Sequence, residues 1–191
     1  MHSPKSLFNV PVSLLLALCA CLSLAATVAA QKREHLTEQE IELVRDNQEL
    51  DARTKVFITA AERRLLAVTN PAESAKNAAK EKEKWGEVKG TRTQLFYDIS
   101  KILDEAVVNV DDVAEHNPAS PLLRKSLFLL AEATTRMLPE LTKLREAAQS
   151  EAEADQLERA LETAREITDA AREKGVTAED LKTKAKAAKK N

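Results

Sequence analysis

The stretch PLLRKSLFLLAEATTRMLPELTKLREAAQS, residues 121–150, decides the fold class. Leu123, Leu127, Leu130, Thr134, Met137, Leu141, Leu144 and Ala148 alternate four and three residues apart, the spacing that returns a side chain to one face of an α-helix. Ser120 stands where an N-cap hydroxyl can accept from the first unpaired amides, and Pro121 takes the first helical position, where a missing N–H costs nothing. Pro139 lies inside the run, but the register continues across it, which predicts a kink and not a break.

Working toward the C-terminus, the seam lapses into Ser, Glu and Asp from Gln149 to Asp155. It resumes in a new phase at Leu157, Ala160, Ala164, Ile167 and Ala171. No Gly or Pro separates the stretches 121–149 and 151–174, so one long, bent helix is slightly favoured over two helices joined by a turn. Gly175 marks the stop, and Thr177 caps a final short helix over 177–190 that begins Ala178-Glu179-Asp180-Leu181.

Toward the N-terminus, Leu95, Ile99, Ile102, Ala106, Val110 and Val113 mark the apolar face of a helix over 93–115, with Val107 and Val108 counted to the same face. The short turn His116 to Ser120, with Pro118, predicts that the helices on either side are antiparallel neighbours. Residues 71–92 are dense in Lys and Glu and read as a partly helical connector, with Trp85 as a packing anchor beside Gly86. Thr37-Glu38-Gln39-Glu40 is a capping box. It opens a helix over 37–69 in which Leu36, Leu43, Leu50 and Phe57 recur every seven residues, followed by Ala61, Leu65 and Val68. Such a helix would be roughly 50 Å long. With 3 Gly, 6 Pro and 3% aromatic residues, and no strand candidate of substance, the expectation is all-α: an elongated antiparallel helical bundle with coiled-coil-like seams, one domain over 31–191.

A different composition precedes it. Lys5 is followed by an uncharged run from Leu7 to Ala30 whose apolar centre is Leu14-Leu15-Leu16-Ala17-Leu18 and which ends Val28-Ala29-Ala30. This is the pattern of a cleavable export signal over 1–30, and it places the protein outside the cytoplasm, in a periplasmic or similar extracytoplasmic space. The alternative takes Leu18-Cys19-Ala20-Cys21 as a lipobox, leaving Cys21 as a lipidated, membrane-tethered N-terminus. An uncleaved membrane span is the third reading, opposed by Asn9 and Pro11.

Both cysteines of the chain, Cys19 and Cys21, fall in this segment, so the body holds no thiol for nucleophilic or metal chemistry. Its histidines, His35 and His116, are far apart in sequence. Asp112 and His116 share a helix face, but the Glu-x-x-His pairs of di-iron bundles are missing, and no metal or cofactor is expected. Gly86, Gly90 and Gly175 cannot build a phosphate loop or a Gly-x-Ser-x-Gly elbow, so catalysis has no support. Charge is balanced, 29 Lys and Arg against 31 Asp and Glu, which argues against bulk polyanion binding, and no nucleic-acid partner is expected.

Three features remain as interaction candidates. Lys182, Lys184, Lys186, Lys189 and Lys190 carry positive charge without a negative one after Asp180, and suit either an anionic surface such as a membrane or the negative pole of a helix end. Asn47 and Thr54 interrupt the first apolar seam, where polar groups can fix register with a partner helix, so protein is the expected partner. Leu36-Thr37-Glu38-Gln39-Glu40 is similar to the Leu-Thr-x-x-Gln motif of small helical periplasmic stress and chaperone proteins, with Glu40 in place of Gln and no second copy. That resemblance implies a helical hairpin presented to unfolded envelope proteins.

Overall fold

A computed structural model describes residues 33–177; residues 1–30, read from sequence as an export signal, with Cys21, and the lysines from Lys182 to Lys190 lie outside the described residues. Within them the chain forms six α-helices and no strand: α1 (Glu38–Asp46), α2 (Leu50–Thr69), α3 (Pro71–Trp85), α4 (Arg92–His116), α5 (Pro121–Glu146) and α6 (Glu151–Glu173). From Glu34 onward they belong to one compact unit.

The expected helix over 37–69 is two helices. The Asn47 amide and its side-chain Nδ2 both donate to the Leu43 carbonyl, at 3.2 and 2.7 Å, closing α1 with a cap made by one residue. Arg53 Nε then donates to the Asn47 carbonyl at 3.1 Å, and its Nη1 to Asn109 Oδ1 on α4 at 3.0 Å. The break is held by a tertiary contact, without Gly or Pro. Leu36, Leu50, Phe57, Ala61, Leu65 and Val68 are buried on either side of the corner, but Leu43 is only half-buried, so the seven-residue repeat lapses on α1. The connector is also more regular than expected: α3 runs fifteen residues, capped by the Asn70 side chain, which accepts from the Glu73 amide, and no residue of it is fully buried.

A second expectation is overturned beyond Glu146. The chain turns at Ala147–Ser150 and α6 folds back on α5, so the lapse in the seam is a corner and not a bend. Ser150 Oγ accepts from the Glu153 amide at 3.2 Å, which starts a new helix. Pro139, by contrast, lies within an uninterrupted α5, as its register predicts.

α2, α4, α5 and α6 form a four-helix bundle around Phe57, Phe96, Ile99, Leu103, Leu141 and Leu157, which are fully buried, while Ala60, Ala106, Ala133 and Ala160 let the helix axes approach closely. Packing runs α2 to α4, α4 to α6, α6 to α5 and α5 to α2, so that α4 and α5 are diagonal and touch little. The short turn between them makes them antiparallel but not neighbours. Cross-links give the directions. Arg92 with Glu153 and Asp104 with Thr163 make α4 parallel to α6. Asp51 with Lys125 and Glu62 with Arg136 make α2 parallel to α5. Thr134 with Thr168 and Arg145 with Glu158 make α5 antiparallel to α6. Among the described residues no helix is long and apolar enough to cross a membrane.

Candidate functional site

Two constellations stand out, one buried and one open. The buried one joins the first turn of α1 to α2 and to the end of α3. Glu40 is fully buried, and its Oε2 accepts the Thr37 amide at 2.9 Å, completing the capping box with the Thr37 hydroxyl, which accepts the Glu40 amide. Its Oε1 accepts from both Arg63 and Arg64, at 2.5 and 2.6 Å. Arg64 also donates to the His35 and Ala60 carbonyls, and Arg63 to the Trp85 and Gly86 carbonyls, where α3 leaves its last C=O groups unpaired. Arg63 further covers the Trp85 ring at 5.6 Å. A fully buried carboxylate that accepts from two guanidiniums and a backbone amide is an internal brace. Its burial keeps it from a substrate.

This brace absorbs the residues that resemble the chaperone motif. Thr37 donates its hydroxyl to the Trp85 carbonyl at 2.7 Å, and Glu40, the departure from the motif, is the side chain that gathers the arginines. Sequence periodicity marked Thr37 and Glu40 only as a cap, because the arginines lie on another helix.

The other sequence candidates separate. Thr54 is buried and donates to the Leu50 carbonyl of its own helix at 2.7 Å, while the half-buried Asn47 donates to the Leu43 carbonyl at the α1 cap. His35 Nε2 meets Glu105 Oε2 at 2.7 Å and pins the segment before α1 to α4. His116 Nδ1 donates to the Asp112 carbonyl at 2.8 Å, at the exposed end of α4. Among the described residues no three His, Asp or Glu converge as metal ligands.

The open constellation is a cleft of about 440 Å³ at the end of the bundle where α4 and α6 finish and α5 begins. Its walls are Val107, Val108 and Val110 of α4 and Ile167 of α6, and Leu127 and Leu130 of α5 form the floor, visible because α5 lies diagonal to α4. Val108 is 63% exposed, which corrects its assignment to the core face of the helix; one step round from Val107 turns it away from the bundle axis. Carboxylates border the apolar surface. Asp111 and Glu166 are exposed, and Asp104 accepts from Thr163 at 3.1 Å and pairs with Lys101 at 3.1 Å. Lys174 closes one end. A larger depression between α1 and α3 is shallow and walled mainly by charged side chains such as Glu38, Glu42, Arg45 and Lys84. The smaller cleft has the chemistry of a docking site: an apolar strip with an acidic border.

Compared with protein-family models, with curated proteins and with solved structures, the chain shows no significant match to any.

Proposed function

We propose that the protein is an exported helical-bundle protein of a bacterial-type cell envelope that works by binding protein or as a structural element, without chemistry of its own. The observation that carries the binding role is the cleft between α4, α5 and α6, where an apolar strip including Val108 is left open between carboxylates. A partner suited to it presents an apolar helical face flanked by basic residues. Export rests on residues 1–30, whose charge and hydropathy pattern is that of a cleavable signal. The continuous registers of α5 and α6, which run antiparallel, support a coiled-coil-like seam between these two helices, whereas α4 with α6 and α2 with α5 are parallel and limit the antiparallel reading of the bundle to part of it.

A second reading is favoured by Leu18-Cys19-Ala20-Cys21: lipidation at Cys21 would tether the bundle, and the lysines from Lys182 to Lys190 would then have an anionic surface within reach. Two measurements test these readings. The intact mass of protein recovered after export should show an N-terminus at Gln31; a diacylated or triacylated Cys21 would establish the tether, and retention of Met1 would overturn export by cleavage. Cross-linking in the envelope should then recover a protein partner that the Val108→Lys variant loses. Equal recovery by both forms would end the cleft-based binding role.

A further inference from the structure

α6 ends in a turn beside the cleft, whose lining includes Lys174. The Gly175 amide donates to the Arg172 carbonyl and the Val176 amide to the Ala171 carbonyl, the paired bonds that reverse a chain at a helix C-terminus, with Gly175 at φ +58°. Val176 is buried behind this turn. Arg124 of α5 clasps the same corner, donating to the Lys174 and Gly175 carbonyls at 3.2 and 3.0 Å. The exit is therefore fixed at the end of the cleft that Lys174 closes.

The C-terminal residues beyond this corner match the cleft in pattern, charge and length. Ala178, Leu181, Ala185 and Ala188 are spaced three, four and three apart, which is one helical stripe. Lys182 and Lys184 fall on its two flanks, while Glu179 and Asp180 fall away from it. The cleft carries the complementary arrangement, an apolar floor at Leu127 and Leu130 between the exposed carboxylates Asp111 and Glu166. Along α6 the cleft extends from Lys174 back to Thr163, roughly 16 Å, and Ala178 to Ala188 as a helix would span roughly 15 Å.

We propose that the segment from Ala178 to Asn191 is the resident occupant of the cleft, with Leu181 against Val108 and Leu127 and the lysines paired to Asp111 and Glu166. This deepens, and rests on, the reading of the cleft as a binding surface: the surface is self-covered, and an external helix must displace the tail to engage it. The lysine run is then an intramolecular latch.

The test uses the full chain and zero-length carbodiimide coupling, which joins only amines and carboxylates already in contact, with the sites read by mass spectrometry. Coupling of Lys182, Lys184 or Lys186 to Asp111, Glu166 or Asp104 is expected, with a yield independent of protein concentration and about tenfold lower in Val108→Lys and in Leu181→Asp. Coupling spread over carboxylates of α1 and α3, coupling only between molecules, or yields unmoved by both variants would overturn the proposal. Its failure is distinct from that of the binding role. If the tail does not couple at the cleft but Val108→Lys still loses its envelope partner, the latch falls and the docking site stands.

Discussion

Arg64 and Glu40 meet at 2.6 Å with side-chain exposures of 3% and 0%, a charge pair sealed inside the junction of α1 and α2. Glu40 also holds Arg63, so removing the carboxylate strands two guanidiniums. Breaking a buried pair by deleting one partner costs about 3–5 kcal/mol, because the survivor remains desolvated. Glu40→Ala should lower stability by that amount in urea unfolding, and Glu40→Gln, which keeps an acceptor at Oε1, should lose less. An alanine variant within about 0.5 kcal/mol of the parent would show that the brace is not structural.

Gly86 ends α3 at φ +68° and ψ −172°, a region that is essentially the preserve of glycine. A Cβ there would also run into Gln39 Oε1 and come within 2.9 Å of Thr37 Oγ1. Gly86→Ala is expected to cost about 1–3 kcal/mol from backbone strain, with added loss from the clash. Gly175→Ala provides the comparison, since nothing lies within 4 Å of its Cβ position and only the positive φ opposes it. Melting temperatures should rank Gly86→Ala below Gly175→Ala; the reverse order would rule out the Thr37–Gly86 contact as a constraint.

Asp51 titrates below its ordinary value. The hydrogen bond from Lys125 is the main cause, joined by the charges of Lys125 and Lys55 and by the Ala52 amide, and opposed by burial. A carboxyl with a lowered folded pKa stabilises the fold fully above the unfolded value of 3.8 and ceases to do so as pH falls through the folded value. Stability of the parent minus that of Asp51→Asn should therefore be constant near neutrality and shrink in acid below 3.8. Lys125 is 47% exposed, so the difference should be modest and decrease with salt. A gap that widens in acid would refute this assignment.

Ser126 is fully buried on α5, and its Oγ has no hydrogen-bond partner among the described residues. Desolvating a hydroxyl without a bond is unfavourable by about 1–3 kcal/mol on mutational scales, so removing it should help. Ser126→Ala is expected to leave stability unchanged or raise it by up to about 1 kcal/mol, as read from the midpoint of chemical unfolding. A loss above that size would reveal a bond or a packing role for the hydroxyl.

The long registers of α4, α5 and α6 were legible because apolar residues repeat over six or seven turns, and Leu130, Met137, Leu141, Leu157 and Ile167 are buried as their spacing requires. The corners were harder. Asn47 caps α1 through its own amide and side chain, and Arg53 adds a bond to its carbonyl while reaching Asn109 on α4, a long-range contact that no local pattern encodes. The corner at Ser150 did have a signal in Ser150-Glu151-Ala152-Glu153, an N-cap followed by Glu three residues later, and Thr91 to Gln94 likewise forms a full capping box at the start of α4. Glu153 itself turns away to bind Arg92 at 2.7 Å. The cleft was invisible for a topological reason: it depends on which helices are diagonal, and a turn of any given length is compatible with either arrangement.

That diagonal placement also sets the order in which the core can close. A chain delivered N-terminus first can pair α2 with α4, and α5 can lie along α2, but α4 has no second wall until α6 has emerged. Ile102, Leu103 and Ala106 on α4 are buried in the finished bundle, in which α4 packs against both α2 and the last described helix, α6. The parallel pairs α2–α5 and α4–α6 join segments more than fifty residues apart in sequence, as Asp104 and Thr163 do across a separation of 59. Contacts so distant form late and slow the search. Until residue 173 is available, the half-built bundle carries an open apolar face, and it is in that interval that the protein is most exposed to aggregation or to capture by a folding helper.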